Sequence, residues 1–394
     1  MTVANGREFL SIPGPTNVPD AVLQAMNRPA IDLYTGEMLG LTEGLMADLP
    51  KLFRTKGNVY VYAANGHGGW EAAFTNVLSK GDRVLVLESG RFAIGWGEMA
   101  RLMGAEIEVL PQDIRRAVDP AAVEARLRKD DSHAIKAIMV VQIDTASGVV
   151  NDLAAIRKAI DAAKHPALLM VDTVASLGCM PFEMDAWGID VAMAGSQKGL
   201  MTPPGIALVA ANNKAKAAHK TAGMRTLYWD WTAREGGEHY NKYCGTPPMH
   251  TVFGLRKAID MIFAEGLENV HRRHALLAEA TRRAVMRWEE GQVLAMNAII
   301  PAERSDSITN VLTLGRDPKG LLDFCREKCG VVLGQGIGEL SGRAFRIAHM
   351  GHTNAPMVLG TLSAIEVGLK ALDIPHGSGG VSAAIEYLGS EVKA

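Results

Sequence analysis

One lysine directly follows a strongly apolar segment, in a position where its amine can act as a nucleophile. Lys198 lies in the short polar cluster Gly195–Leu200, which comes after the apolar run Val191–Ala194. An amine at the C-terminal end of a strand projects into the crevice where open α/β sheets bind ligands, and partial desolvation lowers its pKa toward useful nucleophilicity. The alternative is an ordinary loop lysine, exposed and solvated. The sequence thus indicates Lys198 as a candidate for covalent catalysis.

A carboxylate ends another apolar run. Asp172 follows Leu168–Val171, and the alternative for it is a helix N-cap or a surface residue. The chain between Asp172 and Lys198 is long enough for one excursion away from the sheet and back. An amine and an acid in one crevice suit pyridoxal 5'-phosphate (PLP), because a protonated pyridine ring stabilises a carbanion at the substrate α-carbon. We therefore predict PLP as the cofactor, with Lys198 and Asp172 as the catalytic residues.

A glycine-rich turn is a candidate phosphate site. The sequence Ala64–Glu71 joins a strand predicted to end at Ala63 to a helix predicted to begin at Glu71. Glycines permit close approach of the backbone, and a helix N-terminus adds unpaired N–H groups and a dipole that favours anions. The pattern is neither a Walker A loop nor GxGxxG, so a plain tight turn is the alternative.

Two further segments follow strands that would end at the same crevice. Phe92 comes after the predicted strand Arg83–Glu88 and could stack on a flat cofactor ring; packing in the core is the alternative. The string Asp144–Gly148 follows a strand predicted to end at Ile143. Its hydroxyls could reach a phenolic oxygen of the cofactor, and a helix-capping turn is the alternative. Both segments are candidate cofactor contacts.

An arginine lies within an apolar strand near the C-terminus. Arg346 alternates with Phe345 and Ile347, so its side chain should point away from theirs. A guanidinium can bind a substrate carboxylate through two parallel hydrogen bonds, which fixes the orientation of the substrate as well as supplying charge. A structural salt bridge is the alternative role.

The elements that would position these residues alternate between short apolar runs and helical patterns. Apolar runs without a polar face suit a parallel sheet that is buried on both sides. The predicted strands are Val59–Ala63, Arg83–Glu88, Glu106–Leu110, Ala137–Ile143, Leu168–Asp172, Val191–Gly195 and Ile206–Ala210. Helical spacing of apolar residues predicts helices over Glu71–Ser79, Phe92–Met103, Pro120–Arg128 and Asp152–Ala163.

After residue 251 the pattern becomes mixed α+β. The sequence predicts helices over His250–Glu265, Leu267–Glu289, Pro318–Lys328 and Met357–Leu372, and strands over Ser307–Leu314, Val331–Leu333 and Ala344–His349. The chain has 394 residues, which is long for one ordinary domain. We predict an α/β fold with an N-terminal segment (1–20), a large PLP-binding domain (21–270) and a small α+β C-terminal domain (271–394). The large domain should contain a mainly parallel seven-stranded sheet.

The composition excludes several classes of protein. With 48% hydrophobic and 21% charged residues, the chain has ample material for a core and is not a disordered protein. A net charge of -2 gives no broad basic field, so we expect neither nucleic acid nor an anionic membrane as a partner. Because no apolar stretch approaches roughly 18 residues and no signal segment is evident, we expect a cytoplasmic location.

The cysteines point to neither a disulfide framework nor a zinc site. Cys179, Cys244, Cys325 and Cys329 are scattered without a CxxC spacing, so we expect no metal. Cys325 and Cys329 lie one helical turn apart and are expected to be small apolar core residues.

Together, these segments resemble the class V aminotransferases of the alanine–glyoxylate and serine–glyoxylate group across nearly the whole chain. Pro13–Pro19 is similar to that group's N-terminal PGPxxxP segment, and Gly195–Lys198 with Pro203–Gly205 is similar to its lysine motif. The resemblance implies the PLP-dependent transferase fold type I. It also implies ping-pong transfer of an amino group from a small amino acid, such as serine, alanine or aspartate, to glyoxylate or pyruvate.

The resemblance assigns roles to individual residues. It implies that Lys198 is the Schiff-base lysine and that Asp172 pairs with the pyridine nitrogen. The other implied contacts are Gly66, His67 and Gln197 with the phosphate, Phe92 with the ring, Thr145 with a cofactor oxygen, and Arg346 and Gly14 with the substrate. Tyr243 and Thr246 match positions that reach the phosphate of a neighbouring subunit, which implies a homodimer with a shared active site.

Departures from the family pattern leave alternatives open. Asp32 is followed by Leu33–Gly36, where many serine–glyoxylate-like members carry His-Arg-Ser-Pro. Asp144–Gly148 is similar to the corresponding string of pyridoxamine–pyruvate aminotransferase, but the Glu and additional Arg expected there fall on Asn65 and Ile337. The alternatives are another PLP reaction on the same fold, such as a lyase, a desulfurase or pyridoxamine–pyruvate transamination, and a noncatalytic small-molecule-binding protein.

Overall fold

A computed structural model describes residues 2–392, and seven strands of this part of the chain form one large sheet. A second sheet has five strands, and two short strands form a separate pair. The strands are β1 (Phe9–Ser11), β2 (Asn58–Ala64), β3 (Arg83–Leu87), β4 (Glu106–Leu110), β5 (Ile135–Val141), β6 (Ile143–Asp144), β7 (Val149–Val150), β8 (Leu168–Asp172), β9 (Val191–Gly195), β10 (Gly205–Ala211), β11 (Ala295–Met296), β12 (Ile308–Leu312), β13 (Val331–Gln335) and β14 (Ala344–Ala348).

The α-helices cover both sheets and connect their strands. They are α1 (Asp20–Met26), α2 (Glu37–Phe53), α3 (Gly66–Thr75), α4 (Arg91–Leu102), α5 (Pro120–Leu127), α6 (Leu153–Ala162), α7 (Asn213–His219), α8 (Trp231–Arg234), α9 (Met249–Glu265), α10 (Leu267–Trp288), α11 (Lys319–Cys329), α12 (Ala355–Ala371) and α13 (Gly380–Glu391).

The large sheet has the order β2-β10-β9-β8-β5-β3-β4, and only the pairs that involve β10 are antiparallel. The connection from β9 to β10 is residues 196–204, which is shorter than the crossover of about a dozen residues that parallel neighbours need. Since six of the seven strands run in one direction, the predicted seven-stranded, mainly parallel sheet is confirmed. The C-terminal ends of these six strands lie at the same edge.

Both faces of the large sheet are buried, except along its edge strand β4, which is partly exposed. Along β8, Leu169 and Val171 pack into one hydrophobic cluster, whereas Leu168 and Met170 pack into another on the opposite face. Helices α3 and α4 contribute to the second cluster, and α2, α6 and α9 contribute to the first. Burial on both sides explains why these strands lack a polar alternate face in the sequence.

Some N-terminal elements differ from the prediction. Helix α3 begins at Gly66 rather than Glu71, because Asn65 caps it and the glycine-rich turn forms its first turn. Helices α1 and α2 were not predicted at all. Gly40, Gly44 and Pro50 lie inside α2 and lower its helix propensity, so tertiary packing on the large sheet stabilises this helix instead.

The second sheet has the order β1-β13-β14-β12-β11. The predicted strands β12, β13 and β14 are present, whereas β1 and β11 were not predicted. β1 comes from the N-terminal segment and pairs in parallel with β13, with Leu10 opposite Val332. A strand of three residues carries too little periodicity to be recognised without its partner.

Helix α10 connects the two hydrophobic cores. Gly266, with φ +87°, separates it from α9. Val270 packs into the core of the large sheet, while Leu277 and Trp288 pack into the core of the second sheet. This course agrees with the expectation that the helix leads into a smaller domain; the domain boundary after residue 270 stays a prediction.

Residues 2–392 contain neither a helix suited to span a membrane nor a cluster of metal-binding side chains. No helix in this range combines the length and apolar character needed to cross a bilayer. Nor do three or more His, Cys, Asp or Glu side chains in this range converge as a metal site would require. Cys325 is buried and Cys329 is half-buried on α11, as the helical spacing predicted.

Candidate active site

A cavity of about 290 Å³ opens at the C-terminal edge of the parallel strands. Several connections that follow these strands contribute to its wall. Asn65 follows β2, Asp172 ends β8, Lys198 follows β9 and Pro204 precedes the antiparallel β10. The topology thus brings together the lysine and the acid that the sequence indicated, at the edge where open α/β sheets bind ligands.

Lys198 has its amine surrounded by protein atoms although its side chain is partly open to the cavity. The amine donates a hydrogen bond to the carbonyl oxygen of Pro13. Burial lowers the pKa of Lys198 to about 8, and the positive charge of Arg346 also lowers it, whereas the charge of Asp172 raises it. A lysine with this pKa is partly unprotonated near neutral pH and can act as a nucleophile or a base.

The peptide at Gly14 presses against the lysine. A Cβ atom at Gly14 would lie 2.6 Å from Lys198 Cε, and its φ of +112° is one that other residues rarely adopt. Thr16 anchors the same segment, since its Oγ1 donates a hydrogen bond to the carbonyl of Lys198 at 3.1 Å. Gly14, a predicted substrate contact, lines the cavity beside the lysine.

Asp172 is almost fully buried at the end of β8. Its Oδ1 accepts a hydrogen bond from Val174 N at 2.7 Å, and its Oδ2 accepts one from Trp70 Nε1 at 2.7 Å. Burial raises the pKa of Asp172 to about 6, and the negative charge of Asp144 raises it further, while the charge of Lys198 lowers it. The carboxylate therefore has a fixed orientation and a high affinity for a proton.

The first turn of α3 offers fewer free amides than the sequence suggested. Asn65 Oδ1 accepts hydrogen bonds from the backbone N–H groups of His67 and Gly68 at 3.1 and 3.3 Å. The dipole of α3 still favours an anion at this end, where Gly66 and His67 line the cavity. A phosphate held here would either bind beside the cap or displace the Asn65 side chain from these amides.

Gln197 lines the same part of the cavity. Its Oε1 atom is buried, and no described residue donates a hydrogen bond to it. Its Nε2 is not among the buried unpartnered atoms and donates to no described residue, so its N–H groups are free to bind an anion. A free amide donor and a helix N-terminus in one cavity fit a phosphate group.

Three rings surround the cavity. Phe92 lies at the start of α4 with its centroid 6.2 Å from that of Trp70, and His67 lies 4.5 Å from Trp70 on the other side. Burial lowers the pKa of His67, and the charge of Arg91 adds to this effect. The rings of His67 and the partly buried Phe92 provide flat surfaces suited to an aromatic ligand.

Arg346 on β14 lies on the opposite side from the core residues Phe345 and Ile347, as the alternation predicted. Its Nε donates to Gln335 O at 2.7 Å and its Nη1 donates to Thr145 O at 3.1 Å. No described residue accepts a hydrogen bond from its Nη2. Burial lowers the pKa of Arg346 to about 10, and Asp144 opposes this effect, so the group stays charged. A buried cation with a free donor suits a carboxylate ligand.

Thr145 is buried and lines the cavity, with the loop around it held from the second sheet. Besides Arg346, the amide of Asn310 binds this loop by donating to Ala146 O at 2.7 Å and Thr145 O at 3.4 Å. Asn310 pairs directly with Arg346 across β12 and β14. The second sheet thus reaches the edge of the first through two neighbouring side chains.

Tyr243 and Thr246 lie outside the cavity of their own chain. Tyr243 is 2% exposed and its hydroxyl lies 3.0 Å from Thr42 Oγ1. Burial raises the pKa of Tyr243 to about 12. Thr246 is exposed. These two predicted cofactor contacts are therefore not brought together with the other site residues within one chain.

Three residues in or around the site had no role in the sequence analysis: Trp70, Asp144 and Asn310. Trp70 lies three positions after His67 on α3, a spacing that places both on one helix face and could have indicated it. Asp144 belonged to a string already singled out. Asn310 carried no signal, because its contacts join segments far apart in the sequence.

A second cavity, of about 520 Å³, adjoins the first and shares His67, Trp70 and Phe92 with it. Its outer wall includes Ile337 and Gly338, from the loop after β13. The shared residues are a wall common to both spaces, so the second cavity lies next to the surroundings of Lys198.

Comparison with known proteins gives consistent results. The family model "Aminotransferase class-V" matches residues 54–346. The chain is 40% identical to the serine–glyoxylate aminotransferase of Methylorubrum extorquens, over 97% of this chain and 96% of the relative. It is 37% identical to the L-aspartate–glyoxylate aminotransferase of Paracoccus denitrificans, over 95% of each. The solved pyridoxamine–pyruvate aminotransferase of Mesorhizobium loti superposes with a TM-score of 0.90, at 27% identity and over all of both chains.

Proposed function

Because this chain belongs to the class V aminotransferase family, we propose that it carries PLP on Lys198 and transfers amino groups from a small amino acid to glyoxylate or pyruvate. Family membership makes the chain a transaminase. The observation that carries the assignment of roles is that Lys198 and Asp172 line one cavity and each shifts the pKa of the other.

The residues divide the chemistry between them. When bound, PLP supplies a ring that accepts electrons from the substrate α-carbon. The amine of Lys198 would hold the cofactor and, when free, would remove and return the proton of the substrate α-carbon. Asp172 would pair with the pyridine nitrogen, and Trp70 and Val174 hold its carboxylate in place.

Other residues bind and orient the ligands. Arg346 would hold the substrate carboxylate through its free Nη2. Gly14, whose lack of a side chain makes room for Lys198, would contact the substrate from the cavity wall. Phe92 would cover the cofactor ring, and Thr145 would contact its phenolic oxygen. Gly66, His67 and Gln197 would bind the phosphate, since they share the end of the cavity at the N-terminus of α3.

The substrates follow from the site and the relatives together. Arg346 does not line the cavity itself but binds the carbonyl of Thr145 in its wall. One guanidinium beside the cavity suits a single α-carboxylate, and serine, alanine and aspartate all satisfy that requirement. The relatives named for serine–glyoxylate and aspartate–glyoxylate transfer support glyoxylate as an acceptor and keep both amino acids as donors. Arg91 in the adjoining cavity is accompanied by Glu88, Glu98 and Glu339, so that cavity does not select a donor by charge alone.

A homodimer with a shared active site is part of the proposal. Thr246 is exposed, and so are Leu227, whose carbonyl accepts a hydrogen bond from Cys244, and Tyr34, whose ring packs against Tyr240. A second copy of the chain covering this surface would let Thr246, and Tyr243 beside it, approach the partner's phosphate. Sedimentation of the purified protein as a monomer would contradict this arrangement.

Pyridoxamine–pyruvate transamination is a second candidate. The full-length likeness to the Mesorhizobium loti structure favours it. Asn65 and Ile337 disfavour it, because Asn65 is engaged in capping α3 and Ile337 carries no charge. Free pyridoxamine therefore belongs in any screen of amino donors.

The experiment is a screen of donors against acceptors. The PLP-loaded protein is expected to show a visible absorption band that a good donor abolishes and glyoxylate restores, with one oxo acid formed per acceptor consumed. Serine, alanine, aspartate and pyridoxamine are each tested with glyoxylate and pyruvate. Turnover of a donor without any acceptor would indicate a lyase. Absence of the band, and of a borohydride-trapped adduct on Lys198, would indicate a noncatalytic binding protein.

Replacing Arg346 by alanine is expected to lower kcat/KM for carboxylate-bearing donors by about 100-fold. The reason is that a charge-assisted hydrogen bond to a carboxylate contributes roughly 1.5–3 kcal/mol. Steady-state kinetics with serine and aspartate measure the change. Arg343→Ala, an exposed arginine three positions earlier, is the matched control and should retain wild-type kinetics. An unchanged kcat/KM in the Arg346 variant would contradict the role given to it.

A further inference from the structure

A second carboxylate, Asp144, lies fully buried beside the site, and the proposed chemistry does not use it. Its Oδ2 accepts hydrogen bonds from the backbone N–H groups of Phe92 and Ala93 at 2.8 and 3.0 Å. Its Oδ1 accepts one from Ala146 N at 2.9 Å. One carboxylate therefore binds both the segment that carries the Phe92 ring and the loop that carries Thr145.

The position of this carboxylate is tightly fixed. Helix α4 has no side-chain cap of its own, because its N-cap residue is Gly90. Asp144 supplies the missing acceptor from a distant part of the chain, at the helix end where the dipole favours an anion. A Cβ atom at Gly90 would lie 2.6 Å from Asp144 Cγ, so glycine at this position makes room for the carboxylate.

Asp144 also contributes charge to the cavity. Burial raises its pKa, whereas the three N–H donors and the positive charge of Arg346 favour its ionised form. The lysine amine is faced by Arg346, Asp172, Cys179 and Asp144, and the two aspartates favour its protonated state. Burial raises the pKa of Cys179 to about 12, so this thiol stays neutral and does not change the balance.

We propose that Asp144 is a positioning residue: its three hydrogen bonds fix Phe92 and Thr145 relative to each other, and the charge of its carboxylate acts on Lys198. The proposal rests on the function proposed above, since Phe92 and Thr145 matter to catalysis only if they contact the cofactor. Asp144 itself acts through its neighbours and through its field, without touching the substrate.

The test uses the PLP-loaded protein and a readout other than activity. The visible band of the lysine-bound cofactor changes with pH, and its midpoint reports the proton affinity of the Lys198 nitrogen. Asp144→Asn keeps the shape of the side chain but removes the charge. We expect its midpoint to fall by about one pH unit, the size typical of losing a nearby opposite charge. Its affinity for PLP should also fall, because one amide oxygen cannot accept all three N–H groups.

Two further variants separate charge from structure. Asp144→Glu keeps the charge, so its midpoint should stay near the wild-type value even if PLP binds more weakly. Asn310→Ala loosens the same loop without changing any charge, and its midpoint should not move. If Asp144→Asn does not fold, Asp144→Ser removes the same charge with a smaller side chain and is expected to shift the midpoint equally.

The outcomes are distinct. A wild-type midpoint in the neutral Asp144 variant would overturn the inference while leaving the proposed function intact. An equal shift in Asn310→Ala would also overturn it, because the shift would then reflect loop disorder rather than charge. A wild-type protein without the visible band would overturn the proposed function and this inference together.

Discussion

Replacing Lys198 by alanine is expected to lower the rate of transamination by about four orders of magnitude. In the proposed function the amine both holds the cofactor and moves the proton of the substrate α-carbon, and removing a general acid–base group alone lowers rates by about 10²–10⁴-fold. PLP should still bind, more weakly, because the phosphate and ring contacts do not involve the lysine. Single-turnover kinetics with serine, and mass spectrometry after borohydride treatment, measure the loss.

The control for this variant is Lys220→Ala, which removes an exposed lysine at the end of α7. It should keep full activity and the borohydride-trapped adduct. Unimpaired transamination by Lys198→Ala would rule out the assignment of the cofactor-binding lysine, whatever the behaviour of the control.

Replacing Asp172 by asparagine is expected to lower kcat by about 10³-fold. An amide cannot keep the pyridine nitrogen protonated, and loss of one preorganised electrostatic group typically has an effect of this size. Trp70 Nε1 can still donate to the amide oxygen, so the side chain should keep its place. Asp131→Asn, an exposed carboxyl before β5, is the control and should not change kcat.

The free energy of unfolding of the Asp172→Asn variant provides an independent measurement. The folded-state pKa of Asp172, about 6, lies above the ordinary value of 3.8, so the unfolded chain loses this proton first as the pH rises. The buried carboxylate therefore destabilises the cofactor-free protein increasingly from pH 4 to pH 6, by about 3 kcal/mol in total. Relative to wild type, Asp172→Asn should gain stability over this interval, measured by denaturant unfolding. A constant difference would show that Asp172 is not desolvated.

Much of the large sheet could be predicted because its strands are buried on both faces. A run such as Leu168–Val171 has no polar alternation, and that pattern is specific to central parallel strands. The antiparallel direction of β10 could also have been inferred from its short connection to β9. β1 could not, because its pairing with β13 joins segments more than 300 residues apart and involves three residues.

The features of the candidate site also divide into those that could be predicted from the sequence and those that could not. Lys198, Asp172 and Arg346 could be singled out as candidates because each places a charge within, at the end of or shortly after an apolar strand. The contacts that hold them could not, because they depend on side chains brought together by the fold. Trp70 orients Asp172 across 102 positions of the chain, which no local spacing predicts. Asn65 binds the amides two and three positions ahead as an N-cap, which could have been predicted had the start of α3 been placed at Gly66.

The position of strand β1 limits which changes at the N-terminal segment the protein can tolerate. Pro13 and Gly14 follow it directly and form part of the wall beside Lys198, while the strand itself is the edge of the second sheet. Trimming the amino end through β1 would remove a sheet edge and expose the lysine to solvent in one step. Fusion tags and library mutations therefore need to spare residues 9–16, even though no catalytic side chain lies among them.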